Sequence, residues 1–193
     1  MSFEPVSKLD GHVAVITGGK GAIGWATARR LAALGARIVS IDRSDPEKVQ
    51  ALLDTLPKVA SGAHFALTAS ITDSAALNAA AEAVKQRAGR CDILVNSAGF
   101  TKPVAAKAGV DLLTKALGKA LAPHIRVIAV SPGVVDSSFV PGRGAEFNEK
   151  AAATIPLQRI GHVDDTAAAI EACATTMRFA TGSRFVVDGG RSL

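Results

Sequence analysis

Short runs of apolar residues alternate along the chain with longer stretches in which apolar positions recur at helical spacing. Continuously apolar runs are typical of strands buried on both faces of a parallel sheet. Strands are predicted near residues 12–17, 37–42, 64–69, 92–96, 126–131 and 184–188. Helices are predicted near residues 23–34, 46–56, 73–88, 105–121 and 163–178. This alternation predicts an α/β fold in which residues 1–193 form a single domain around one doubly wound parallel sheet.

Local signals mark the ends of several of these elements. Gly35 follows the first predicted helix, and a glycine at this position ends many helices. Asp73 stands where an N-cap is expected for the alanine-rich helix that follows it. The residues from 132 to 156 include Pro141, Gly142 and Gly144, which predicts a long irregular connection.

Composition and charge exclude several classes of function. Hydrophobic residues make up 48% of the 193 positions, which argues against a disordered chain. The net charge of +5 is spread along the sequence without a basic cluster, so nucleic-acid binding is not expected. No apolar run reaches membrane-spanning length and no signal-peptide core is present, so a cytoplasmic location is expected. Cys91 and Cys173 share no metal-like spacing with the histidines, and no metal site is predicted.

A glycine-rich turn after the first strand carries the first chemical signal. Gly19, Gly21 and Gly24 follow the G-x-G-x-x-G spacing of a dinucleotide-binding turn. Glycines there let the backbone turn sharply and approach a diphosphate, which binds the free N–H groups at a helix N-terminus. Glycines also close many ordinary strand-to-helix turns, so the prediction depends on the strand before the turn and the helix after it.

An acidic residue ends the second predicted strand, about 20 residues after the glycine turn, where a dinucleotide-binding fold needs one. Asp42 is placed to accept hydrogen bonds from both ribose hydroxyls of an adenosine, and its charge repels a 2′-phosphate. NAD is therefore favoured as the cofactor, although Arg43 and Lys20 would suit the phosphate of NADP. The alternative is that Asp42 only begins the turn that leads to Pro46.

With its glycine turn and Asp42, the chain resembles the short-chain dehydrogenase/reductase family. This resemblance implies a Rossmann-like sheet with helices on both faces. Residues 17–24 match the TGxxxGxG turn of the family, with Ala22 in place of its second glycine. Residues 96–99 are similar to the family's NNAG segment. Residues 132–137 are similar to its PGxVxT segment, with Ser137 for threonine. The likeness continues through residues 155–161 and 181–190 and spans almost the entire chain.

The resemblance implies a set of cofactor contacts. It implies that the adenosine ribose lies against residues 96–99, that Ser70 replaces an acid beside adenine, and that backbone groups around Val135 meet the nicotinamide carboxamide. Lys107 is identified as the family's motif lysine, which holds the ribose and lowers the pKa of a catalytic tyrosine. The cofactor-binding residues implied in this way are Gly18, Gly19, Lys20, Gly21, Ala22, Ile23, Gly24, Asp42, Arg43, Ser70, Ile71, Asn96, Ser97, Ala98, Gly99, Lys107, Pro132, Gly133, Val135 and Ser137.

The catalytic tyrosine of the family has no counterpart. Pro103 stands four residues before Lys107, and the chain contains no tyrosine. The strand that bears the family's catalytic serine, with its helix and loop, has no room between residues 99 and 104. A βαβ unit takes about 30 residues, so an internal segment on the order of two such units is absent. Two explanations stay open: the sequence joins two parts of a longer chain, or the protein has one strand and one helix fewer than its family.

The sequence is therefore compatible with three alternative functions. The first is an NAD(P)-dependent oxidoreductase that moves hydride between the nicotinamide and an alcohol or ketone; a homodimer or homotetramer is expected if the protein contains the missing segment. The second is a nucleotide-binding protein without catalysis, because general acid–base help is worth about 10² to 10⁴-fold and its tyrosine is absent. The third is a structural module, for which the glycine turn, Asp42 and Asn96 would be coincidental.

Overall fold

The computed structural model describes residues 8–99, 104–137 and 144–193, with only the backbone described for residues 104–107. The chain divides into two compact units, which we describe separately. Unit 1 is Met1–Gly99 and unit 2 is Phe100–Leu193. The single domain over residues 1–193 stays a prediction.

Unit 1 is a parallel sheet whose strands are joined by helices. Its elements, in chain order, are β1 (Val13–Thr17), α1 (Ala22–Ala33), β2 (Arg37–Asp42), α2 (Pro46–Leu53), β3 (Phe65–Thr68), α3 (Ser74–Ala88) and β4 (Ile93–Asn96). The sheet order is β3-β2-β1-β4, and every pairing is parallel. This order brings the carboxyl ends of all four strands to one edge, where open α/β sheets bind their ligands.

The continuously apolar strands are buried as the sequence predicts. All five residues of β1 are buried, and so are the four central residues of β2. Val15, Val39 and Phe65 pack in one cluster with Val84 of α3, whereas Leu31 of α1 is among the largest fully buried side chains. Removing these side chains from water supplies the main favourable free energy of folding.

The predicted helix ends in unit 1 are confirmed. The Asp73 side chain accepts a hydrogen bond from Ala76 N at 3.0 Å and caps α3. Gly35 has a φ of +97° directly after α1, a conformation that a residue with a Cβ rarely adopts.

Unit 2 contains the rest of the described elements. They are α4 (Val104–Ala120), β5 (Ile128–Pro132), α5 (Ala145–Ala153), α6 (Val163–Thr175) and β6 (Ser183–Val187). Strands β5 and β6 pair in parallel, with Ala129 opposite Arg184 and Ser131 opposite Val186.

One sequence expectation was wrong. The connection from residue 132 to 156 is not irregular throughout, because α5 lies within it; Glu146 and Lys150 form an (i, i+4) ion pair on that helix. The predicted α/β class is confirmed, since every described ladder is parallel and helices lie between the strands. The described ladders are one of four strands in unit 1, in which β1 is the only described partner of β4, and one of two strands in unit 2.

Candidate functional site

The glycine turn lies between β1 and α1 at the carboxyl edge of the sheet in unit 1. Gly18 has a φ of +69°, and its N–H donates to Ile41 O on β2 at 2.8 Å. Gly21 N then donates back to Gly18 O at 2.9 Å, which closes the turn. These two bonds fix the path of the backbone before α1 begins.

Close approaches explain two of the glycines. A Cβ on Gly24 would lie 2.3 Å from Gly18 O, and a Cβ on Gly18 would lie 2.9 Å from the backbone of Ala98. Neither neighbour is a flexible side-chain end, so any larger residue would displace the backbone. Ala22, the departure from the family pattern, is exposed at the first residue of α1.

The N-terminus of α1 has no side chain that caps it. Gly21 is the N-cap residue, and the first turn contains no acidic residue. The first N–H groups of a helix have no partner within the helix, and together with the helix dipole they attract an anion. Ala22, Ile23 and Gly24 present these N–H groups directly after the glycine turn, a favourable place for a diphosphate.

Residues 96–99 lie beside this turn, as the resemblance implies. Asn96 is opposite Thr17 in the ladder between β4 and β1. Ser97 N donates to Thr17 O at 3.1 Å, and Ala98 N donates to Thr17 Oγ1 at 3.3 Å. Thr17 thus connects the end of β1 to the second motif, while Gly99 is exposed and has space around it.

Asp42 lies at the end of β2, half-buried, and faces the glycine turn. Its Oδ2 accepts a hydrogen bond from Lys20 N at 3.3 Å, and its Oδ1 accepts one from Ser44 N at 2.9 Å. The Asp42 carboxylate therefore lies against the turn and also stabilises the start of its own loop. Each oxygen keeps acceptor capacity for a ligand hydroxyl. The Lys20 and Arg43 side chains are exposed nearby in sequence.

The turn after β3 provides the next neighbours. Ala69 N donates to Asp42 O at 3.1 Å, which places the end of β3 beside Asp42. The Ser70 hydroxyl forms a 2.8 Å hydrogen bond with the Thr72 hydroxyl. The next side chain, Ile71, is 40% exposed and offers an apolar surface.

In unit 2, residues 132–137 begin at the last residue of β5 and contact the end of β6. Gly133 N donates to Val187 O at 3.0 Å, and a Cβ on Gly133 would lie 2.7 Å from the Asp188 Cβ. Pro132 is exposed and Ser137 is half-buried. The Asp188 carboxylate accepts hydrogen bonds from Gly190 N and Ser192 N, and these bonds lower its pKa.

Val135 pairs with Gly161 in an isolated parallel bridge. Gly161 N donates to Val134 O at 2.8 Å, and Asp136 N donates to Gly161 O at 2.9 Å. Among the backbone bonds of residues 104–137 and 144–193, none uses the N–H or C=O of Val135 itself. One donor and one acceptor on the same residue match the acceptor and the donor of a nicotinamide carboxamide.

An ion pair that the sequence did not indicate lies on the other side of Gly161. The Arg159 guanidinium donates to both oxygens of Asp165, at 2.7 and 3.1 Å. Asp165 also accepts from His162 N in the capping box of α6. The Arg159 hydrogen bonds, with that of His162 N, lower the pKa of Asp165 to about 2. A shallow pocket beside this pair is lined by Val134, Leu157, Arg159, Gly161, Asp165, Val187, Asp188 and Gly189.

Lys107 lies on α4, and its side chain is outside the described residues, as is Pro103. Within residues 8–99, 104–137 and 144–193, no group of three or more His, Cys, Asp or Glu side chains is arranged to hold a metal ion. None of the helices in the same ranges is long and apolar enough to cross a bilayer.

Comparisons with family models cover almost the entire chain in two parts. A model described as short chain dehydrogenase matches residues 12–105. A second model, described as Enoyl-(Acyl carrier protein) reductase, matches residues 103–192. The two matches meet where the sequence shows no room for the tyrosine-bearing segment.

Relatives and solved structures agree with these models. D-threitol dehydrogenase of Mycolicibacterium smegmatis is 33% identical over 195 residues, covering 80% of this chain and 74% of the relative. An uncharacterized short-chain type dehydrogenase/reductase of Sinorhizobium fredii is 28% identical over 248 residues, covering 94% of this chain and 98% of the relative.

Among solved structures, a dehydrogenase/reductase from Sinorhizobium meliloti superposes with a TM-score of 0.86 at 26% identity, covering 97% of this chain and 98% of the other. A short-chain dehydrogenase/reductase from Brucella melitensis, at 21% identity, has the same fold with a TM-score of 0.89, covering 98% and 100% of the two chains. The glycine turn, the segments beside it and these likenesses agree: the chain belongs to the short-chain dehydrogenase/reductase family of NAD(P)-dependent oxidoreductases.

Proposed function

We propose that unit 1 binds the adenosine diphosphate half of a nicotinamide dinucleotide at the carboxyl ends of its strands. The observation that carries this proposal is the uncapped N-terminus of α1, which follows a turn where Gly18 and Gly24 leave no space for a Cβ. The diphosphate binds the first N–H groups of α1. The adenosine ribose lies against residues 96–99, and adenine lies beside Ile71.

We propose NAD rather than NADP as the cofactor. The Asp42 carboxylate is held against the turn by Lys20 N, so its charge is fixed where the ribose hydroxyls bind. A 2′-phosphate at that place would meet this charge, and like charges at short range are unfavourable. Arg43 and the Lys20 side chain are the groups that would favour the phosphate instead.

The reaction proposed is oxidation of an alcohol or reduction of a ketone, for which the bound nicotinamide accepts or supplies the hydride. In unit 2, the proposed contacts of the nicotinamide carboxamide are the N–H and C=O of Val135, which no backbone hydrogen bond between described residues uses. Ser137, Pro132 and Gly133 belong to the same segment by family resemblance. Lys107 is proposed to hold the nicotinamide ribose.

Calorimetric titration with NAD⁺ and NADP⁺ tests the cofactor proposal. We expect saturable NAD⁺ binding that is at least about tenfold tighter than NADP⁺ binding, a difference of about 1.4 kcal/mol. Asp42→Ala should weaken NAD⁺ binding about tenfold, because the two hydroxyls of the adenosine ribose lose a charged acceptor. The same substitution should reduce the ratio of the NADP⁺ Kd to the NAD⁺ Kd.

The matched control is Asp45→Ala, which removes an exposed carboxylate that caps α2 through Glu47 N. That variant should bind NAD⁺ and NADP⁺ with the same affinities as the native chain. Absence of saturation with either dinucleotide would refute cofactor binding, and equal affinities in the native chain would refute the NAD preference alone.

A second candidate function is nucleotide binding without turnover. The absence of tyrosine from all 193 positions favours it, because the family's proton donor is then missing. The alignment with the Sinorhizobium fredii relative has 248 positions but holds 94% of this chain, so about 65 residues of the relative have no counterpart here. Saturable NADH binding with no oxidation of NADH against a panel of ketones would distinguish this candidate from the first.

A cytoplasmic location and a homo-oligomer, dimer or tetramer, complete the proposal. Val110, Leu113 and Leu117 are exposed apolar residues on one side of α4, and such patches mark contact surfaces. Light scattering on the purified chain measures the oligomeric state, and a monomer at all concentrations would contradict it.

A further inference from the structure

One buried hydroxyl under the glycine turn is not explained by the fold. Ser40 lies on β2, only 1% exposed, and its Oγ has no hydrogen-bond partner among the residues that the structure describes. A buried hydroxyl without a partner destabilises a protein, so stability alone does not account for serine at this position.

The Ser40 side chain occupies the space of a side chain at residue 19. A Cβ on Gly19 would lie 2.3 Å from Ser40 Oγ and 3.0 Å from Ser40 Cβ. Gly19 does not have a positive φ, so its backbone conformation is open to any residue. Ser40 is therefore the group that restricts position 19 to glycine, in contrast to Gly18 and Gly24, which backbone atoms restrict.

A second contact joins the same two segments. Lys20, the residue after Gly19, donates its N–H to Asp42, and Asp42 lies two residues after Ser40 on β2. Strand β2 thus meets the turn through hydrogen bonds at Ile41 and Asp42, and the Ser40 side chain lies in the space that a Cβ of residue 19 would occupy. A larger residue 19 would therefore push the turn away from the strand that carries the ribose-binding acid.

We propose that Ser40 is a positioning residue of the diphosphate turn and that Gly19 is its steric counterpart. This inference rests on the proposed binding of a dinucleotide. A larger side chain at residue 19 is compensated by a smaller one at residue 40. The measured quantity that responds is the affinity for ligands that contain the diphosphate.

A double-mutant cycle tests the pair, with Kd for NAD⁺ and for ADP measured by calorimetry at a temperature where every variant is folded. Gly19→Ala should raise both Kd values about tenfold in the native background, because the new methyl group displaces the turn from β2. In a Ser40→Gly background the same change should raise them less than about threefold, since the space is then free.

Gly21→Ala is the matched control. A Cβ on Gly21 would lie 3.1 Å from Gly18 O and meets no atom of Ser40, so this substitution should cost the same factor in both backgrounds. An equal effect of Gly19→Ala on Kd in the two backgrounds would overturn the proposal. Coupling that appears in the thermal midpoint but not in Kd would also overturn it, because Ser40 would then be a packing residue only. If neither the native chain nor any variant binds NAD⁺ or ADP, the proposed function itself fails.

Discussion

His64 is a buried histidine with both ring nitrogens in use. Its Nδ1 accepts a hydrogen bond from Ile38 N at 2.9 Å, and its Nε2 lies 2.9 Å from Pro57 O. Because Nδ1 is an acceptor, Nε2 is the nitrogen that donates to Pro57 O. Strand β2 begins before its pairing with β3, which starts at Val39 and Phe65. At this place the imidazole accepts the hydrogen bond of Ile38 N that a backbone carbonyl of a neighbouring strand would otherwise accept.

His64→Ala should lower the free energy of unfolding by about 2–3 kcal/mol, because the substitution leaves a buried N–H and a C=O without partners. Urea unfolding measures the difference. His12→Ala is the control, since its ring has one long contact of 3.4 Å to Asp10 O in the same loop. That variant should stay within about 0.5 kcal/mol of the native chain. Equal losses in the two variants would show that the His64 hydrogen bonds do not stabilise the sheet.

The start of α6 depends on the charge of one carboxylate. The hydrogen bonds from Arg159 and from His162 N hold the pKa of Asp165 near 2, below its usual value of 3.8. A lowered pKa means that the folded state binds the proton less tightly than the unfolded state does. The stabilisation is therefore complete above the usual pKa and is lost as the pH falls towards 2.

Asp165→Asn should lower the thermal midpoint by a constant amount above about pH 5, and the difference from the native chain should disappear between about pH 4 and pH 2. Thermal unfolding across that pH range measures it. Glu146→Gln provides the control, because its pair with Lys150 is exposed and contributes little. A difference that stays constant down to pH 2 would mean that the Asp165 charge does not stabilise the helix.

The helices and strands that the sequence predicted are those with a strong local signal. β1 consists of four buried apolar residues and the buried Thr17, and the Asp73 cap and Gly35 mark helix ends that depend on neighbours within a few residues. Helix α5 was missed because Pro141, Gly142 and Gly144 indicate a loop, and the nine residues that follow have few large apolar side chains to show a helical period.

The residues of the candidate site that the family pattern specifies could be predicted from the sequence. Residues whose role depends on a contact with a residue distant in sequence could not. The glycine turn, Asp42 and residues 96–99 lie together in unit 1, as the sequence implied. Ser40 carries no motif, because its effect depends on its distance from Gly19, which is set by the pairing of β1 with β2. The ion pair of Arg159 with Asp165 likewise belongs to no motif, because it depends on how the residues between them fold.

At the scale of the whole chain, the tyrosine-bearing segment of the family has no counterpart between residues 99 and 104. The two family models meet at residues 103–105, and the relative from Sinorhizobium fredii has about 65 residues without a counterpart. In unit 1, Leu94 on β4 is 59% exposed, and β1 is the only described strand that pairs with β4. Strands of parallel sheets are normally buried on both faces, so Leu94 is more exposed than is usual for such a strand.

A chimera would show whether the absent segment is what limits catalysis. Residues 100–103 are replaced by a segment of about 65 residues taken from the Sinorhizobium fredii relative, chosen so that a tyrosine stands four residues before Lys107. Ketone-dependent NADH oxidation by the chimera should exceed that of the native chain by about 10² to 10⁴-fold, the usual contribution of a general acid. The same chimera with that tyrosine changed to phenylalanine should return to the native rate while still binding NADH. If the native chain already matches the chimera, another group donates the proton and the chain is a complete enzyme without a tyrosine.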